Sequence, residues 1–89
     1  DLRHNRGGNI DSWLLARLMR QPWMWWAPRD SDAQPNMHHA FRGHLVVLVD
    51  AWTASDGETM ANGVRRLGLG TSIGVRTWGG GIWLRTGIT

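Results

Sequence analysis

Three stretches of this chain carry a regular pattern of apolar positions, and each predicts an element. Ile10, Trp13, Leu14 and Leu18 recur at the spacing of one helix face. Asn9 or Asp11 can cap its start, Arg17 and Arg20 suit its negative end, and Pro22 stops it. The pair Gly7 and Gly8 is therefore expected at a helix N-terminus. The run "HLVVLVD" (44–50) is continuous in valine and leucine, the pattern of a parallel strand covered on both faces. Met60, Val64 and Leu67 mark one face of a second helix, which Arg65, Arg66 and Gly68 end.

Weaker patterns fill the rest. "DLR" (1–3) has the look of a strand end, and Trp23 to Ala27 can form a short strand. Residues 28–43 read as a polar, proline-containing loop. "SIGVR" (72–76) and "GGIWLR" (80–85) read as two further strands, with the glycines of "WGGG" (78–81) between them. Strands alternating with helices imply an α/β layer architecture. A chain of 89 residues supports one small core. It opens at Asp1 without a methionine, so it is expected to be a piece of a longer protein.

Composition narrows the class. Hydrophobic residues make up 42%, as in soluble globular chains, and no apolar run approaches the roughly 20 residues that span a bilayer. The absence of cysteine excludes disulfides and zinc–thiolate sites. The net charge of +3 comes with ten arginines and no lysine, and these arginines are scattered, whereas a nucleic-acid footprint tends to cluster.

The stretch "TASDGE" (53–58) poses the chemical question. Ser55 followed three residues on by Glu58, before an apolar-periodic helix, is a capping box. The same position, after a buried strand and at a helix start, is also where backbone N–H groups and the helix dipole favour a developing oxyanion. Thr53 stands where the Gly-x-Ser-x-Gly elbow has its first glycine, so an α/β-hydrolase is not indicated. From spacing alone, both the cap and the nucleophile remain open.

Three separated motifs, "DLRHNRGG", "TASDGE" and "LGLGTSIGVRTWGG", resemble in order and spacing the C-terminal catalytic segment of the tricorn-type, tail-specific (C-terminal processing) serine peptidases. The corresponding family stretches look like Asp-x-Arg-x-Asn-Gly-Gly-Gly, Ser-Asp-Gly-Asp and Gly-x-Arg-Thr-Trp-Gly-Gly. The resemblance implies a partial crotonase-like (ββα superhelix) α/β domain with buried strands and two main helices. Residues 1–89 would then be a fragment of the C-terminal catalytic domain of a longer protein. It further implies Ser55 as nucleophile and the backbone N–H groups of Gly8 and Asp56 as the oxyanion hole. Peptide-binding stretches fall on Arg6, Gly7 and Gly8 and on Trp83, Leu84 and Arg85, where a strand edge could pair with an extended peptide. Arg6 replaces the first glycine of the family's triple glycine. The family's acidic specificity residue falls on Trp26, so a preference for basic side chains is not implied.

A serine nucleophile needs a base. The Ser–Lys version is excluded by the lack of lysine, with Gly80 at the lysine position. The tricorn version takes a histidine from an upstream domain and a glutamate from downstream, both beyond this chain. His4, His38, His39 and His44 match no triad or ligand spacing, and no metal or cofactor is assigned. Trp23, Trp25 and Trp26 cluster as a specificity wall, a subunit contact or plain packing. The expected protein is thus a cytoplasmic, homo-oligomeric serine endopeptidase acting on peptides, with no nucleic acid or membrane partner. The alternatives are a non-catalytic peptide-binding relative and an Arg/Trp-rich nucleic-acid or phosphate binder.

Overall fold

The computed structural model describes residues 1–81. The expected strand at 80–85 therefore lies almost wholly outside the described residues, with Trp83, Leu84 and Arg85. In chain order the elements are α1 (Asp11–Leu18), β1 (Trp25–Trp26), β2 (Gln34–Pro35), β3 (Val46–Val49), α2 (Asp56–Arg66) and β4 (Thr71–Gly74).

The organising unit is β3–α2–β4. The two strands pair in parallel, from Val46 opposite Thr71 to Val49 opposite Gly74, and α2 supplies the crossover that parallel strands require. Alternation along β3 turns Val47 into the core and brings Leu45 and Val49 partly against it. There Val47 meets Met60, Ala61 and Val64 from α2 and Leu15 from α1. Burying a side chain such as Met60 or Val64 in this way stabilises the fold by about 1.5–3 kcal/mol. The opposite face of the strand is open, since Val46 is 49% exposed and every residue of β4 is exposed. The expected double-sided cover is thus not found: among the described residues the helices lie against one face only. The mixed α/β class and the two main helices are as expected; the buried strands are not.

The helices cross closely. A Cβ at Gly63 would overlap Leu15 Cδ1, so the missing side chain lets α1 seat on α2. α1 turns Leu15 fully and Leu14 and Leu18 partly inward, whereas Ile10 and Trp13 remain about 60% and 59% exposed, against expectation. Trp13 instead lies under the Arg17 guanidinium, 4.2 Å from the ring centroid. α1 also ends at Leu18, short of Pro22, and its N-cap is Ile10 rather than Asn9 or Asp11.

α2 ends as its sequence suggests. Gly68 takes φ 68, its N–H donates to the Arg65 carbonyl, and the Leu69 N–H reaches back to Val64 at 2.9 Å, a Schellman closure. Leu67, expected on the buried face, is the C-cap and is exposed.

The Trp23–Ala27 strand shrinks to two residues and pairs antiparallel with Gln34–Pro35, inside the segment read as loop. This hairpin touches none of the other helices or strands. Trp26 Nε1–H donates to Asn36 Oδ1 at 2.8 Å, and Arg42 lies 4.8 Å from the Trp25 ring centroid.

Candidate active site

The chain leaves β3 at Val49 and enters α2 at Asp56 through a short turn that ends on Ser55. That turn is pinned by the N-terminal segment. Thr53, completely buried, donates its hydroxyl to the Leu2 carbonyl at 2.7 Å and accepts the Asp50 N–H at 3.1 Å. The Ala54 N–H donates to the Asn5 carbonyl at 2.8 Å, and the Leu2 N–H to the Leu48 carbonyl at 2.9 Å. So held, Ser55 sits at φ 55, ψ −118, a conformation that a non-glycine residue adopts at a cost of about 1–3 kcal/mol. The turn from strand to helix is as sharp as the one that exposes a serine in a Gly-x-Ser-x-Gly elbow, reached without that glycine pattern.

The capping box read from Ser55 and Glu58 is present. Glu58 accepts the Ser55 N–H at 2.9 Å, as a capping box requires. The other half is in place too: the Ser55 side chain faces the Glu58 N–H as the box requires, although that N–H makes its shorter, better-formed bond to the Ser55 carbonyl at 2.9 Å. As the box's acceptor the hydroxyl keeps its own proton, which it donates to no described residue.

Opposite it stands the glycine turn. Gly7 has φ 122, and a Cβ there would lie 2.8 Å from Ser55 Cβ, 3.2 Å from Ser55 Oγ and 3.2 Å from the Asp56 nitrogen. Only glycine permits that approach. The Asn5 side chain accepts the Gly7 N–H at 3.0 Å, and Asp56 Oδ2 accepts the Ile10 N–H at 2.8 Å. Between these two ties the Gly8 N–H donates to no described residue, and neither does the Asp56 N–H. The carboxylate of Asp56 is buried, and its Oδ1 has no hydrogen-bond partner among the described residues.

A third segment closes over the start of α2. The Trp78 N–H donates to the Thr53 carbonyl at 3.0 Å, and Glu58 accepts the N–H groups of Gly79 and Gly80. Burial pushes the Glu58 carboxyl up, but hydrogen bonds from Gly79, Thr77, Ser55 and Gly80 outweigh it and hold the group below its ordinary 4.5.

These ties frame a cavity of about 430 Å³ lined by Arg6, Trp52, Ala54, Ser55 and Trp78. Beside it, Arg6, Trp52 and His4 line a second, of about 360 Å³. His4 Nε2 lies 3.1 Å from Asp50 Oδ2, and its ring stacks on Trp52 with centroids 6.4 Å apart. Desolvation pushes the Asp50 carboxyl up, yet the His4 and Trp52 N–H groups, the His4 charge and the Thr53 hydroxyl hold it below its ordinary 3.8.

The structure thus brings together Ser55, Asp56, Arg6, Gly7 and Gly8, from positions some fifty residues apart. Trp26 is on the separate hairpin and does not line this cavity. Trp83, Leu84 and Arg85 are outside the described residues. Of two further cavity walls, Trp52 carries no distinguishing signal in sequence beyond its residue type, whereas Trp78 is the tryptophan of the quoted "RTWGG" motif, to which sequence reasoning gave no role. Among the described residues no group of three or more His, Cys, Asp or Glu could hold a metal ion, and no helix is long and apolar enough to cross a membrane.

Comparison with known proteins matches residues 1–87 to the family described as Peptidase family S41. Tricorn protease homolog 1 of Streptomyces coelicolor is 35% identical over 80 residues, covering 90% of this chain and 8% of that protein. The tricorn protease of Thermoplasma acidophilum is 32% identical over 80 residues, with the same two coverages of 90% and 8%. A crystal structure of the tricorn protease matches with a TM-score of 0.78 at 32% identity, over 90% of this chain and 8% of that one. The chain therefore spans about 8% of the length of these relatives.

Proposed function

This chain belongs to peptidase family S41, and on that premise we propose that it is the nucleophile-bearing piece of a serine endopeptidase whose other parts supply the base. The observation that supports this most is Ser55 itself. It is a non-glycine residue at positive φ on a strand-to-helix turn, lining an open cavity, with a hydroxyl proton that no described residue accepts.

In the proposed reaction Ser55 Oγ attacks the carbonyl carbon of a peptide while a base takes the hydroxyl proton. The carbonyl oxygen becomes an oxyanion and receives the Gly8 and Asp56 N–H groups, a type of donor whose loss typically costs ~10²–10³ in rate. Collapse expels the amine, which takes the proton from the base, and water then cleaves the acyl-enzyme by the same steps in reverse roles. Among the described residues no histidine hydrogen-bonds to Ser55, and His4 is engaged with Asp50, so the base is assigned to an upstream histidine supported by a downstream glutamate. The β3–α2–β4 unit is taken as part of a crotonase-like domain in the C-terminal catalytic region of a longer, cytoplasmic, homo-oligomeric protein. Peptide would lie along Arg6 to Gly8 and along Trp83 to Arg85.

The same lack of a base beside Ser55 favours one second reading, a peptide-binding relative without turnover. The nucleic-acid or phosphate alternative has no comparable support, since Arg3 is paired with Asp1 and Arg17 and Arg42 lie over indoles. Labelling of the full-length protein by a serine-directed phosphonate decides between the first two. Labelling and peptide hydrolysis should both vanish in Ser55→Ala, at a stability loss of about 0.5–2 kcal/mol from the lost side of the capping box. A folded Ser55→Ala protein hydrolysing at the parent rate would remove the proposal.

A further inference from the structure

The carboxylates around the site are almost all spoken for. Asp50 is paired with His4, Asp1 with Arg3, Asp56 accepts Ile10, and Glu58 accepts Ser55, Gly79 and Gly80. Arg6 is the charge left over: it lines the cavity that holds Ser55, and it forms no ion pair with any described residue. The indoles of Trp52 and Trp78, both more than half exposed, line the same cavity. An arginine fork is built to grip a carboxylate through two parallel hydrogen bonds.

From this arrangement we propose that the cavity beside Ser55 is a subsite for a carboxylate of the peptide substrate, bound by Arg6 in the cavity it shares with Trp52 and Trp78. The inference rests on the peptidase reading and names its substrate class: peptides with an acidic group within a residue or so of the scissile bond. That carboxylate has two possible sources, an Asp or Glu side chain or the free end of the peptide. Bare indole walls alone would take an apolar side chain equally well; the guanidinium is what selects the charge. Arg6 is a specificity residue in this scheme and takes no part in proton transfer.

The test uses the full-length protein and matched peptides with Glu, Gln or Lys beside the cleaved bond, all amidated, plus the Gln peptide with a free C-terminus. The Glu peptide should exceed the Gln peptide in kcat/KM by about five- to tenfold at low salt, a range set by one charge-assisted pair at a partly exposed site. Added salt should shrink the ratio. Arg6→Gln should bring it to about one, and Arg6→Glu should favour Lys. If instead the free C-terminus of the Gln peptide restores the advantage, the chain end is the source of the carboxylate and the subsite stands. A Glu/Gln ratio near one in the parent protein with no gain from the free C-terminus, or an advantage that survives unchanged in Arg6→Gln, would overturn the subsite. Absence of both hydrolysis and phosphonate labelling would overturn the peptidase reading separately. Calorimetric binding of the Glu and Gln peptides to Ser55→Ala then decides the subsite on its own.

Discussion

The carboxylate of Asp56, first residue of α2, accepts the N–H of Ile10 at 2.8 Å and so caps the start of α1. α1 has no side-chain cap of its own, and a buried carboxylate at a helix N-terminus also complements the dipole. One residue thus serves twice, its side chain fixing the segment that carries Gly8 and its backbone N–H lying free beside Ser55. Asp56→Ala should cost about 0.5–2 kcal/mol, the usual value of a lost cap, and lower turnover beyond what the folded fraction explains. Asp56→Asn, which keeps an acceptor, should retain most of both. Urea unfolding alongside kcat measurement checks this; equal losses in the two variants would show that the charge, and not the hydrogen bond, matters.

Gly7→Ala tests the close approach. The new Cβ would fall 2.8 Å from Ser55 Cβ in a backbone conformation that alanine resists. A stability loss of about 1–3 kcal/mol is expected. Displacement of the serine by a fraction of an ångström should also cost turnover up to about 10²-fold. A folded Gly7→Ala protein with parent kcat would show that the hydroxyl has room to spare.

How much of this was legible beforehand differs by element. Helix α2 was readable because its apolar spacing, capping pair and terminal glycine all agree, and β3 because valine runs have few other uses. Burial was misjudged wherever it depends on partners: the Val46 face of β3 and the indole of Trp13 are open among the described residues, and local pattern carries no record of what lies against a face. The β1–β2 pairing was missed because two-residue strands have no period, and Pro35 reads as a breaker. At the site, Ser55 and the glycine turn were visible through motif likeness. The Asp56 to Ile10 and Glu58 to Gly79 ties were not, since each joins residues that only the tertiary fold brings together.

Glu58 sets a pH dependence. Its carboxyl is held below 4.5 in the folded state, so its contribution to stability is complete above about 4.5 and is lost as pH falls through the lower folded value. The parent protein should therefore lose stability on acidification below about 4.5, and Glu58→Gln should show a shallower acid limb. Chemical denaturation between neutral pH and about pH 3 is the measurement. Parallel acid limbs in parent and variant would assign the loss to other groups, Asp50 among them.

The helix crossing gives a packing prediction. Gly63→Ala gains helix propensity yet drives a methyl into Leu15, and overpacking of this kind costs about 1–3 kcal/mol. Leu15→Ala leaves a void in the same place. The double variant should be more stable than the sum of the two single changes predicts, by a coupling of about 0.5–3 kcal/mol. Strict additivity would mean that the helices do not meet there.

The bond between Asp56 and Ile10 also sets an order of events during synthesis. The two residues are 46 apart in sequence. At roughly 5–20 residues per second, α1 leaves the ribosome roughly two to nine seconds before its cap exists. A helix of 8 residues is too short to persist alone for that time. The glycine turn therefore stays unformed until the Ser55 turn has emerged, and the two halves of the candidate site are born together, late.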